Sequence, residues 1–264
     1  MDRITESLIS ELLTTLEITS EGESKDFEKL ANYTVVSNEY NKTFDVDVIT
    51  VGEGNDTGID GIAIVVNGQL VDSTEEVDDM LEKNNFLEIE YLFIQAKTSS
   101  TFESAGLNTF IFGVQDFFSL KPRLVRNDDI KRFAEISNYL FKKAPKFREN
   151  PIIKMFFVTT GKWTNDSNLH AVIDNGTNLL EQTNLFEKVQ FTPFGSRELA
   201  AAYRKTKESI STTITFNNRI TIPKINGVSQ AYIGLLPFNE FLKIVAVNDD
   251  ILLNVFEDNV RDFQ

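Results

Sequence analysis

Asp60 opens one apolar run, GIDGIAIVVNG (58–68), and Gln95 and Lys97 close another, LFIQAKTS (92–99). A buried charge without a partner is costly, or it is neutralised by a shift in its pKa, so such groups in strands that face a core need a reason. A spacing of two places Gln95 and Lys97 on the same strand face, with Ala96 directed into the other. If this strand lies beside the one that starts near Asp60, and a helix carrying Glu28 packs across their ends, the four groups converge. A carboxylate and an amide oxygen then offer hard ligands to magnesium or manganese. An ammonium such as that of Lys97 can orient an attacking water and offset charge developing on a phosphate. A plainer reading has Asp60 capping the turn after GEGNDTG and Lys97 protecting an edge strand. That reading leaves unexplained why Gln95 and Lys97 continue the face of Tyr91 and Phe93.

The elements that must hold these groups follow from hydrophobic periodicity. Apolar residues at helical spacing predict a helix over 4–18; the polar break TSEGES follows, then a second helix with Ser24 as N-cap. Phe27, Leu30 and Ala31 share one side of that second helix and Glu28 sits on its flank, with Glu21, Glu23 and Glu39 as alternatives to Glu28. Alternation over 44–51 predicts a strand. Residues 59–66 and 69–72 flank Asn67-Gly68, a dipeptide suited to a two-residue hairpin because both central positions favour positive φ. Residues 73–83 form an acidic helix or loop, and 88–98 a strand. Helices are predicted over 102–120, 128–143, 165–182 and 196–208. Buried strands are predicted over 152–159 and 186–194. The alternation implies an α/β domain with a mixed sheet flanked by helices, spanning 1–209. Residues 210–264 form an extension, β-rich over 210–223 and amphipathic over 250–263.

Composition narrows the chemistry. There is no cysteine, which excludes disulfides, thiolate zinc sites and cysteine nucleophiles, and the single His170 lies in a polar stretch, against a Ser-His-Asp triad. The net charge of −14 opposes a bulk nucleic-acid coat, because affinity for phosphate backbones comes from Lys and Arg. The charge is uneven, however. Residues 120–154 carry ten basic residues against four acids, and residues 71–91 carry eight acids against one lysine. Lys121, Arg123, Arg126, Lys131 and Arg132 in the first segment are candidates for a phosphate-backbone track, the plainer account being two solvated faces of opposite sign. Gln115 is read as a solvent-facing amide, the alternative being a further site residue projecting from the helix that follows the strand, and Gly161-Lys162 lacks the glycine spacing of a phosphate loop. No apolar run reaches the ~20 residues that span a bilayer, and the acidic amphipathic N-terminus is unlike a signal peptide. A cytoplasmic protein with no membrane association is expected.

A helix glutamate, Asp60 at a hairpin strand and Gln95-Ala96-Lys97 on the next strand resemble the PD-(D/E)XK nuclease superfamily, in its variants with Gln at the first position of the last motif. The wording GIDGIAIVVNG followed by FIQAKTS resembles the N-terminal nuclease domain of AIPR (abortive infection phage resistance) proteins. The ending LLNVFEDNVRDFQ is similar to the opening of the AIPR domain, which in relatives continues further. The resemblance implies a restriction-endonuclease-like fold and Mg2+- or Mn2+-dependent hydrolysis of phosphodiester bonds in DNA or RNA during phage defence. It makes Asp60 the principal metal ligand, Gln95 a ligand or ligand-orienting group, Glu28 a further ligand and Lys97 the water-positioning cation, and it leaves homo-oligomerisation open. Gln95 departs from the commoner carboxylate and removes one negative charge. The rival expectation is a catalytically inactive module of the same fold that binds nucleic acid or assembles with protein.

Overall fold

The structure, a computed structural model, describes residues 1–40, 42–52, 54–207, 213–221, 232–247 and 250–251. The chain divides into two compact units, Met1–Tyr40 with Phe44–Thr206, and Asn41–Thr43 with Lys207–Gln264.

The first unit opens with helix α1 (Arg3–Thr15), whose N-terminal amides at Ile4 and Thr5 donate to the side chain of Asp2. Helix α2 (Glu23–Glu39) follows. Ser24 is its second residue and not its cap, since Gly22 occupies the cap position and makes no side-chain bond there. The alternating stretch 44–51 is likewise not a strand. Asp45 accepts a hydrogen bond from the Asp47 amide and starts a single helical turn, α3 (Val46–Ile49), so a local carboxylate cap overrides the period-two pattern.

Strands β1 (Gly61–Val66) and β2 (Gln69–Val71) form the expected hairpin, with Asn67 at φ +51° and Gly68 at φ +73°. Helix α4 (Thr74–Asn84), capped by Ser73, leads to β3 (Ile89–Lys97). Helices α5 (Ser104–Phe117) and α6 (Asp128–Lys142) precede β4 (Ile152–Thr159); then come α7 (Ser167–Glu181), β5 (Lys188–Phe194) and α8 (Ser196–Lys207). The five strands make one mixed sheet in the order β2-β1-β3-β4-β5, antiparallel from β2 to β3 and parallel from β3 to β5.

Side chains alternate across this sheet and build two cores. Ile62, Ile64, Tyr91, Phe93, Met155 and Phe157 belong to one core with residues of α5, α6 and α7. Ala63, Leu92, Ile94, Ala96, Phe156 and Val158 belong to the other, with residues of α1, α2 and α8. The result is a three-layer unit with helices on both faces of the sheet. Asn67 also fixes the register of β1 against β3. Its amide donates to Glu88 O (2.9 Å), its Nδ2 donates to Phe86 O (2.9 Å), and its Oδ1 accepts from Glu88 N (2.7 Å).

The second unit holds the antiparallel pair β6 (Asn218–Thr221) and β7 (Tyr232–Leu235), helix α9 (Phe238–Val245) and the short pair β8 (Ala246–Val247) and β9 (Asp250–Ile251). Residues 210–212 and 222–223 of the expected β-rich tract and nearly all of the amphipathic stretch 250–263 lie outside the described residues. Among the described residues no helix is long and apolar enough to cross a membrane.

Candidate active site

Asp60 is delivered by the loop that follows α3. Within it, Asp56 Oδ1 accepts from the Gly58 amide (2.7 Å) and Asp56 O from the Ile59 amide (3.0 Å), a turn that directs the chain into the sheet. Asp60 then docks on β3: its amide donates to Ile94 O (2.8 Å), and its carbonyl accepts from Val51 N (3.1 Å) and Asn32 Nδ2 (2.9 Å). The Asp60 carboxylate faces β3 too. Its Oδ2 accepts from the Ala96 amide (2.8 Å) and from Gln95 Nε2. The spacing rule explains the pair, because Gln95 follows Tyr91 and Phe93 on the β3 face that Ile62 and Ile64 share on β1.

Both members of the pair are buried, Asp60 at 5% and Gln95 at 1% exposure. Burial pushes the Asp60 carboxyl up to about 7. The Ala96 amide and the Lys97 charge favour the ionised form, while the charges of Glu28 and Asp56 oppose it. Glu28 and Lys97, from α2 and from the end of β3, therefore both act on Asp60 through their fields. Lys97 is exposed at the strand end. Glu28 is buried, and its Oε2 is paired with Lys25 Nζ at 2.6 Å. The structure thus joins Asp60 to Gln95 by a hydrogen bond, while Lys97 and Glu28 reach Asp60 through their charges and, among the described residues, make no direct bond to it.

Asp60 Oδ1 and Gln95 Oε1 accept no hydrogen bond among the described residues. Two oxygens of this kind suit a hard divalent cation, and a cation would compensate the charge that burial disfavours on Asp60. Glu28 would have to leave Lys25 to join them. Among the described residues no group of three or more His, Asp or Glu side chains is placed to hold a metal ion, so a cation here would rely on Gln95 and on water.

Two features escape a reading for charge alone. Asn32 is fully buried one turn beyond Glu28 and donates both to Asp60 O and to Thr50 Oγ1 (3.2 Å). A polar residue amid the apolar positions of α2, four after Glu28, was the available signal. Gly61 makes the contact feasible, since a β-carbon there would lie 2.3 Å from Asn32 Oδ1. Gly58, at φ +77°, lets the loop pass beside Gln95 Oε1 and Thr109 of α5.

The five candidate phosphate contacts separate into two kinds. Lys121 and Arg123 are exposed, and among the described residues no acid pairs with either side chain. Arg126 instead donates to the carbonyls of Asp116 (2.5 Å) and Phe117 (3.2 Å), Arg132 to that of Val48 (3.1 Å), and Lys131 pairs with Asp128 (2.8 Å). The basic and acidic segments also pair with each other, through Lys143 with Asp78 (2.6 Å), Arg148 with Glu88 (2.8 Å) and Lys154 with Glu90 (2.8 Å). Gln115 is not a free amide, because its Nε2 donates to Gly176 O of α7 (3.1 Å). His170 bonds to Asn165 Oδ1 (2.6 Å) beside the Trp163 ring.

No protein-family model matches this chain, and no curated protein and no solved structure matches it either.

Proposed function

We propose that this chain is a divalent-metal-dependent nuclease with a restriction-endonuclease-like fold of the PD-(D/E)XK kind, acting in phage defence as the N-terminal part of an AIPR-type protein. The observation that carries the proposal is the Asp60–Gln95 hydrogen bond at the end of β3, with Lys97 two positions on and exposed to solvent. A carboxylate just before β1, with an amide oxygen and an exposed ammonium on β3, can serve phosphodiester hydrolysis, and the resemblance of residues 58–68 and 92–99 points the same way. The phage-defence role rests on that resemblance alone.

In this reading Asp60 and Gln95 would hold Mg2+ or Mn2+, which would supply Lewis-acid polarisation of the phosphate. Lys97 orients the attacking water and offsets charge on the phosphoryl oxygens. The water oxygen forms the new P–O bond as the bond to the leaving sugar oxygen breaks. The proton released by the water is balanced by the one the leaving oxygen takes up. Glu28 adds negative field from α2, and Asn32 fixes the backbone of Asp60.

The test is incubation with plasmid, single-stranded DNA and RNA in Mg2+ or Mn2+, alongside Asp60→Ala and Lys97→Ala variants. Cleavage by the parent that both variants lose supports the reading; equal cleavage by the variants, or none by the parent, overturns it. The catalytically inactive binding module is the second reading. It is favoured by the neutral side chain at Gln95 and by the raised pKa of Asp60, both of which weaken the hold on a cation.

A further inference from the structure

The connection between α5 and α6 exposes apolar and basic side chains together. Leu120 is 95% and Val125 70% exposed, and the exposed Lys121 and Arg123 stand between them in sequence without an acidic partner among the described residues. Single exposed apolar residues are ordinary on protein surfaces. Two of them on one short loop, interleaved with two cations, form a mixed apolar and cationic tip.

The base of this loop is firmly held. Buried Asp116 accepts from the Arg123 amide (2.6 Å) through Oδ1, and the Arg126 guanidinium donates to the carbonyls of Asp116 and Phe117. Asn127 then ties the loop to the segment leading to Asp60, its amide donating to Asn55 O (3.0 Å) and its Nδ2 to Gly52 O (3.0 Å). The tip is thus held by the same backbone that delivers the candidate catalytic carboxylate.

We propose that this loop is a second contact for a DNA duplex, in which Leu120 and Val125 wedge against a base step while Lys121 and Arg123 hold the flanking phosphates. Apolar wedges beside cationic side chains are a recurring means of opening a step in the minor groove. The distance suits a single duplex. A β-carbon at Gly58 would lie 3.4 Å from Gln95 Oε1 and 3.0 Å from the Thr109 side chain of α5, and eight further helical residues at about 1.5 Å each carry the chain to the end of α5, roughly 12 Å along the axis. At about 3.4 Å per base, the end of α5, three residues before Leu120, would stand roughly four base pairs from the site of cleavage. An anionic membrane surface offers similar chemistry, but nothing about a membrane requires the ties through Asn127 to residues 52 and 55.

The proposal rests on the nuclease reading for its substrate and is tested without cleavage. Binding of a labelled DNA duplex to the full chain is measured by anisotropy in EDTA over a salt series, with 2-aminopurine reporting unstacking. Lys121→Ala/Arg123→Ala should flatten the salt dependence by a slope of about 2. Leu120→Ser/Val125→Ser should weaken binding about tenfold without changing that slope, and should remove the 2-aminopurine signal. All four side chains are exposed, so unchanged thermal melting serves as the folding control. Parent-like binding by the Ser variant overturns the proposal, as does a loss confined to phosphatidylserine vesicles. Duplex binding through the loop without any cleavage sinks the nuclease reading and leaves the loop assignment standing; cleavage with loop-independent binding does the reverse. A chain that binds no DNA duplex overturns the loop assignment, and the nuclease reading falls with it where plasmid, single-stranded DNA and RNA are all left uncut.

Discussion

The Ala96 amide donates to Asp60 Oδ2 at 2.8 Å, so the strand that carries Gln95 and Lys97 also grips the carboxylate they surround. Backbone and side chain of β3 act together here. The Ile94 carbonyl receives the Asp60 amide while Ala96 and Gln95 hold its side chain, which leaves the carboxylate little freedom to turn away.

Burial holds the Asp60 carboxyl near 7, far above its ordinary value of 3.8. Between about pH 4 and pH 7 the folded chain therefore keeps a proton that the unfolded chain has released, and stability falls as pH rises through that window. Asp60→Asn has no proton to lose. Relative to the parent, its stability should climb from pH 5 to pH 8, by up to about 1.4 kcal/mol per pH unit, as read from denaturant titrations. Added Mg2+ at pH 8 should stabilise the parent and leave the variant unmoved; identical pH profiles for the two would refute the assigned burial effect.

Gln95→Glu would set two carboxylates against each other where Gln95 Nε2 now donates to Asp60. Without metal at pH 8, melting should report a loss of about 3 kcal/mol, typical of a buried uncompensated charge. Millimolar Mn2+ should restore more stability to this variant than to the parent, because the restored charge strengthens the hold on a cation. A variant as stable as the parent in EDTA would mean that the pair is far more solvated than its burial indicates.

Gly61→Ala brings a β-carbon to 2.3 Å from Asn32 Oδ1 and should cost about 1–3 kcal/mol through overpacking. Asn32→Ala should cost a similar ~1–3 kcal/mol by leaving the Asp60 carbonyl with one donor fewer. Because the three atoms nearest to such a β-carbon all belong to the Asn32 side chain, the double variant should be less destabilised than the two losses added together, by about 1 kcal/mol. Strict additivity in equilibrium unfolding would show that the clash is relieved elsewhere.

Arg126→Ala separates a structural arginine from a binding one. Arg126 directs Nη2 at the carbonyls at the end of α5 and at the Asp116 carboxylate, so its removal should destabilise the fold by about 1–3 kcal/mol. Lys121→Ala, at an exposed position, should leave unfolding unchanged within about 0.5 kcal/mol. The reverse order in a denaturant series would overturn the division of the basic segment made above.

The architecture was legible wherever one local rule governed. The split of β3 into Leu92, Ile94 and Ala96 on one face and Tyr91, Phe93 and Gln95 on the other follows from period two, and the turn at Asn67-Gly68 from its φ preference. Stretch 44–51 misled because Phe44, Val46 and Val48 satisfy the same period, while the cap supplied by Asp45 acts over two residues that no periodicity measures. Charge counting had a similar blind spot. It counts Arg126 and Arg132 as cations but cannot see the carbonyls that take up their donors, nor the acids that offset Lys143, Arg148 and Lys154. At the site itself, Gln95 and Lys97 announced themselves as polar groups in an apolar strand. Asn32 gave a fainter signal, a polar residue amid the apolar positions of α2, because its partners are backbone and hydroxyl groups with no sequence signature of their own.

Asn67, bonded three times to residues 86–88, stands at the opposite end of β1 from Asp60, roughly 20 Å away at the rise of a strand. A slip of one residue between β1 and β3 would carry Asp60 past Gln95. Asn67 therefore works like the stop on a caliper, fixing a measurement taken at the other end of the rule. A random-mutagenesis screen scored on the Asp60–Gln95 pair would recover Asn67 along with the pair's own neighbours, although no atom of Asn67 touches either side chain.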